Sequence, residues 1–131
     1  MDCKLIYFSQ VNEEDGSIVF MEGMKEIPFE IKRVFYIFST PKGATRADHA
    51  NKNTDFVLIN VYGTSSIEVD DGIKKVVFEL SSPNVGLYIP HMTWMKTYNF
   101  SSDSVLLALA SRQYEKNQYY EDYKEFCETI I

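Results

Sequence analysis

One histidine stands where its chemistry could be used. His49 lies in the stretch Gly43-Ala44-Thr45-Arg46-Ala47-Asp48-His49-Ala50-Asn51-Lys52-Asn53-Thr54-Asp55, just ahead of a strand-like run that closes at Gly63. An imidazole titrates near pH 6.5, so it gains or gives up a proton at neutral pH and suits general acid–base work. Arg46, three residues earlier, is suited to hold a phosphate or diphosphate by charge-assisted hydrogen bonds. Asn51 can hold an oxygen, but an amide does not shuttle a proton at neutral pH. The other histidine, His91, falls in the turn-like Pro90-His91-Met92-Thr93 and reads as a surface residue, whereas Trp94 beyond it could either stack on a ligand or fill core.

These residues need a scaffold, and the pattern around them is all-β. The chain of 131 residues is one domain with room for one core. Its 45% hydrophobic and 15% aromatic content suits strands. Strand signals run over 5–8, 17–22, 31–38, 56–62, 65–69, 74–80, 86–89, 94–100 and 105–111, with turn chemistry between them, as in a sandwich or barrel. Asp70-Asp71-Gly72 and Asp15-Gly16 supply residues that tolerate positive φ in hairpin turns. At the C-terminus the period changes: Tyr120, Tyr123, Cys127 and Ile130 mark one face of an amphipathic helix that docks on the outside.

The net charge of −6 argues against nucleic acid or an anionic membrane surface as partner. It does not exclude a small anion, because a few arginines in a pocket outweigh a distant acidic surface. The start of the chain, Met1-Asp2-Cys3-Lys4-Leu5, lacks the apolar core of a secretory signal, and no run approaches the roughly 18 apolar residues of a membrane helix. Cys3 and Cys127 stand at opposite ends with no redox or metal spacing, so a cytoplasmic protein is expected.

The segment around His49 resembles the first motif of metal-binding cupins, in which a glycine is followed by His-x-His, a glutamate and a second glycine. Gly43, His49 and Gly63 are kept, but Asn51 stands for the second histidine, Asp55 for the glutamate, and Met95 for the histidine of a later strand. Only His49 and Asp55 remain as ligands, too few for a tight site, so no metal and no other cofactor is expected.

A closer resemblance covers nearly the whole chain. The sequence is similar to the WxcM-like cupins, the dTDP-4-keto-6-deoxyglucose 3,4-ketoisomerases. It is carried by Ile27-Pro28-Phe29 through Phe38, Arg46 to Lys52, Asp70-Asp71-Gly72, Ser82-Pro83, Val85 to Tyr88, Trp94, Phe100-Ser101 and Val105 to Ser111. The resemblance implies a cupin-type jelly-roll β-barrel with a short C-terminal helix, a homodimer that pairs or exchanges N-terminal strands, and a dTDP-linked sugar as ligand. It implies an isomerase of deoxyaminosugar and surface lipopolysaccharide biosynthesis that moves a keto group from C4 to C3 without metal or nicotinamide. His49 would be the catalytic base and Tyr36 its phenolic helper, with Arg46, Lys32, Arg33, Asn51 and Trp94 binding substrate.

Five positions depart from the family pattern: Asp15, Asn51, Phe56, Ser66 and Met95 stand where polar or basic residues are usual. They leave open a barrel that binds a nucleotide sugar, or supports a partner enzyme, without turnover. Phe56 and Met95 should also make the cavity more apolar and press His49 toward its neutral form. A sugar-nucleotide epimerase would need an aspartate paired with the histidine. Asp48 does not fit that role, since neighbours on a strand point to opposite faces.

Overall fold

The computed structural model describes residues 1–130. Its elements are β1 (Lys4–Tyr7), β2 (Ser9–Glu13), β3 (Gly16–Phe20), β4 (Arg33–Phe38), β5 (Arg46–Asn51), β6 (Phe56–Tyr62), β7 (Ser65–Asp70), β8 (Lys75–Leu80), β9 (Val85–Ile89), β10 (Trp94–Tyr98), β11 (Val105–Ala110), β12 (Tyr119–Tyr120) and α1 (Tyr123–Ile130). Two five-stranded antiparallel sheets face each other, one ordered β1-β9-β6-β11-β4 and the other β12-β5-β10-β7-β8, while β2 and β3 form a separate hairpin. From β4 to β7 the chain changes sheet at every strand, and it does so again from β8 to β12. This is the expected jelly roll, with one qualification: the sheets are not closed into a barrel, and β4 and β12 are left as edges.

The hydrophobic pattern explains the layers. Between the sheets lie Phe56, Leu58, Ile67, Val69, Leu80, Leu87, Ile89, Met95 and Leu106. The alternate residues Val57 and Ile59 of β6 point outward, yet they too are buried, under Phe8, Ile27 and Phe29 of the N-terminal segment. That is why β6 reads as a continuous apolar run instead of alternating. Gly86 lets the outer layer approach, since a Cβ there would come within 2.8 Å of the Phe8 ring.

On the opposite sheet, α1 covers Trp94 and Ala50 by inserting Phe126. The helix begins at Tyr123 and not at Tyr120, because Tyr119 and Tyr120 pair with Asn51 and Ala50 as strand β12. Asp122 caps it: its Oδ1 accepts hydrogen bonds from the backbone N–H of Lys124 at 2.9 Å and of Glu125 at 3.3 Å. The Asp70-Asp71-Gly72 turn forms as expected, with Gly72 at φ +92° and Asp71 Oδ1 accepting from the N–H groups of Ile73 and Lys74 at 2.9 and 2.8 Å. Strand signals were absent for β2, β5 and β12, which are short and polar and owe their conformation to their neighbours in the sheet. No helix among the described residues is long and apolar enough to cross a membrane.

An eight-residue helix is marginal by itself, so α1 depends on its buried face. Phe126 is 0% exposed, with the Trp94 and Tyr120 rings 5.7 and 6.0 Å away. Phe126→Ala should therefore destabilise the protein by about 3 kcal/mol or more in urea-induced unfolding. A loss below about 1 kcal/mol would show that the helix does not clamp Trp94.

Candidate active site

A cavity of about 440 Å³ opens between β4, the edge of one sheet, and β5, next to the edge of the other, where the two sheets part. That volume lies within the range of small-molecule sites, about 300–1,000 Å³. It exists because β11 presents Ala108 to the interior where a larger side chain would fill the space. Phe35, Ile37, Phe56, Leu58, Met95 and Leu106 give it apolar walls, and the polar contributions come from Arg33, Arg46, His49, Thr97, Tyr114 and Tyr119. Two arginines and no carboxylate line it, so a chain of net charge −6 offers an anion a locally basic opening.

His49 faces this space. Its ring meets the edge of Tyr119 at 4.6 Å between centroids, and Cα register sets it opposite Met95. Burial is the main influence on its titration and lowers its pKa from the ordinary value, while the carboxylates of Glu121 and Asp48 raise it less. The imidazole is thus neutral at pH 7 and able to accept a proton. Among the described residues, no protein hydrogen bond engages it.

Arg46 and His49 both line the cavity although they are three residues apart, a spacing that strict strand alternation would send to opposite faces. An irregularity resolves this. The β5–β10 register slips between Met95 and Thr97, and Ala47 adopts φ +53°, in the left-handed region. The bulge turns the start of β5 so that Arg46 also reaches the opening, and Thr97 Oγ1 secures it by donating to the Arg46 carbonyl at 3.0 Å. A non-glycine residue held in this region marks backbone strain beside the candidate site.

Other expectations need correction. Tyr36 reaches only the mouth. It alternates with Arg33, Phe35 and Ile37, so its ring lies with Val34 and Phe38 on the outer face of β4, 61% exposed and 5.9 Å from the Phe38 ring. Lys32 is outside the cavity, in a surface depression with Glu30, Arg112 and Glu115. Trp94 is on the reverse side of its sheet, because Met95 takes the inward position; its Nε1–H donates to Asp48 Oδ1 at 2.8 Å. The same bond confirms that Asp48 points away from His49. Asn51 follows His49 on the same face but is only 2% exposed and does not line the cavity; neither polar atom of its side chain has a partner among the described residues.

Of the five altered positions, only Phe56 and Met95 line the cavity. Asp15 is at the tip of the β2–β3 hairpin, and Ser66 donates to Glu79 on the outer side of its sheet. Asp55 does not converge with His49: its Oδ1 accepts from the backbone N–H of His91 and contacts the His91 ring, both at 2.8 Å. Sequence reasoning missed Tyr114, Tyr119 and Thr97. Tyr119 enters only through the β12–β5 pairing, which nothing in its own neighbourhood signals.

Comparison with known proteins agrees with this architecture. Residues 1–130 match the family model described as FdtA, WxcM-like, C-terminal. The chain is 40% identical over 130 residues to the TDP-4-oxo-6-deoxy-alpha-D-glucose-3,4-oxoisomerase of Aneurinibacillus thermoaerophilus, spanning 99% of this chain and 94% of that one. The crystal structure of a 3,4-ketoisomerase from Helicobacter canadensis is similar with a TM-score of 0.96 and 41% identity, over 99% of this chain and 98% of its own. A sugar 3,4-ketoisomerase from Thermoanaerobacterium thermosaccharolyticum, in complex with TDP, gives 0.95 and 34%, over 98% of this chain and 94% of its own.

The lowered pKa has a consequence for stability. Above about pH 6.5 the ring is neutral in both states; below it the unfolded chain takes up a proton that the native ring resists. Native stability should fall as pH drops through this window, and His49→Gln should remove that part of the loss. NMR should show His49 titrating below 6.5. A His49 ring that titrates at or above that value would contradict the burial argument.

Proposed function

The chain belongs to the WxcM-like (FdtA) family, and from that premise we propose that it is a sugar-nucleotide 3,4-ketoisomerase acting on TDP-4-oxo-6-deoxyglucose or a close relative. The observation that carries this reading is a neutral, desolvated imidazole on the wall of a cavity that holds two arginines and no carboxylate. At neutral pH such a ring is unprotonated and free to accept a proton from a C–H next to a carbonyl.

The sugar ring occupies the apolar interior, and the diphosphate meets Arg46 at the exposed mouth. His49 removes the proton from C3, giving an enediol shared by C3 and C4. The same imidazolium then delivers a proton to C4, so one histidine on one face serves as base and then acid. Exchange of the proton between the two oxygens falls to a hydroxyl in the cavity, and Tyr119, against the His49 ring, is better placed for it than Tyr36. Asn51 acts from behind the lining, without touching substrate.

The altered positions do not argue for an inert barrel. Three of the five lie off the cavity, and the two that line it, Phe56 and Met95, make its wall more apolar. We further assign the protein to the cytoplasm, to surface-polysaccharide or lipopolysaccharide sugar synthesis, and to a homodimer. The exposed row Val34, Tyr36 and Phe38 on edge strand β4 supplies an apolar face for a second copy.

Incubating the purified protein with TDP-4-oxo-6-deoxyglucose in D₂O, followed by NMR, tests the reading. The 3-keto sugar should form, with deuterium at its C4 and at C3 of the recovered 4-keto substrate, because the imidazolium exchanges with solvent before it returns a proton. His49→Gln should slow this by about 100- to 10,000-fold, the usual contribution of a positioned acid–base group. Binding of the sugar nucleotide with neither 3-keto product nor exchange above background would refute the reading.

A further inference from the structure

Arg33 brings a positive charge into the cavity that no protein group answers. It lies at the start of β4, opposite Ala110 of β11, and its side chain turns between the sheets. Its guanidinium carbon is 5.5 Å from the centroid of the Phe35 ring and 5.6 Å from those of Phe56 and Tyr114. Its Nε–H is sealed from solvent and has no hydrogen-bond partner, and among the described residues no carboxylate forms an ion pair with it. Three aromatic faces partly compensate the charge and hold the guanidinium in place, yet they leave its donors unused.

The two arginines of the cavity are therefore different groups. Arg46 is exposed at the mouth and suits a hydrated, permanently charged diphosphate. Arg33 is walled by aromatic rings, and a fixed cation in such surroundings acts most strongly on charge that appears only during reaction. It sits on the sheet facing that of His49, so a ring held between them has the base on one side and the cation on the other.

We propose that Arg33 is a catalytic residue that stabilises the enediolate oxygen formed when His49 removes the C3 proton, an inference that rests on the ketoisomerase reading above. The C3–H electron pair becomes the C3=C4 bond, and the carbonyl pair moves onto O4, which takes its charge beside Arg33. O4 then gains a proton as the O3 hydroxyl gives one up, and the imidazolium, which exchanges with solvent, delivers a proton to C4. Protons and electrons balance with no other reactant.

Arg33→Met keeps an apolar stem against the rings and removes the charge, while Arg33→Lys keeps the charge without the planar donors. We expect Arg33→Met to lower kcat and C3 exchange by about 100- to 1,000-fold, as loss of an oxyanion donor does. KM and calorimetric TDP affinity should change less than about threefold, the mark of an interaction made in the transition state. Arg33→Lys should recover part of the rate, and added guanidinium ion should raise the rate of Arg33→Met but not of wild type. Unchanged kcat with raised KM and weakened TDP binding would overturn the proposal by making Arg33 a ground-state anchor. Failure of both variants to fold would overturn it by making the aromatic stack structural. Absence of both exchange and 3-keto product in the wild-type protein would instead refute the ketoisomerase reading itself, and this inference with it.

Discussion

The chemistry depends on a space that the fold leaves unfilled. Two sheets packed face to face would ordinarily bury their inner side chains at close-packed density, and here most of them do. Beside the seam between β4 and β5, a small residue, Ala108 of β11, faces the interior, and the sheets part by enough to admit a ligand. An imidazole in that space loses much of its hydration without gaining a hydrogen bond in exchange. Its charged form is disfavoured, so at neutral pH it remains a free base.

The surrounding structure keeps the space open and aims groups into it. Layers outside both sheets fix the strands: Phe8, Ile27 and Phe29 bear on the β6 side, and Phe126 bears on Trp94 behind His49. Because these outer contacts hold the sheets, the inner face of the seam need not be packed solid. The bulge at Ala47 adds a local adjustment that lets Arg46 share the cavity with His49, at the expense of a left-handed alanine. Backbone strain, an unpaired guanidinium and an unpaired buried amide at Asn51 all occur around this one region. Departures from local stability rules are expected where function sets the requirement.

Much of this could be read from residues alone, for identifiable reasons. β6 and the Asp70-Asp71-Gly72 turn announced themselves because hydrophobic runs and turn residues carry local signals. His49 and Arg46 stood out by type and position. The strand that carries them did not: Arg46-Ala47-Asp48-His49-Ala50-Asn51 has weak strand propensity and is extended because β10 and β12 flank it. Tyr36 was misplaced because strand parity decides which face a side chain takes, and its neighbours Phe35 and Ile37 claim the inner one. Trp94 and Met95 show the same effect, one residue apart on β10 and on opposite sides of the sheet. Tyr114 and Tyr119 reach the cavity from far along the chain, and only topology brings them there.

A crystal structure with a bound TDP-sugar tests the central claim most directly. The sugar ring should lie in the seam between β4 and β5, with C3 facing the His49 ring and the diphosphate on Arg46 at the mouth. A sugar bound elsewhere, or a His49 ring turned out to bulk water with the ligand in place, would contradict the account.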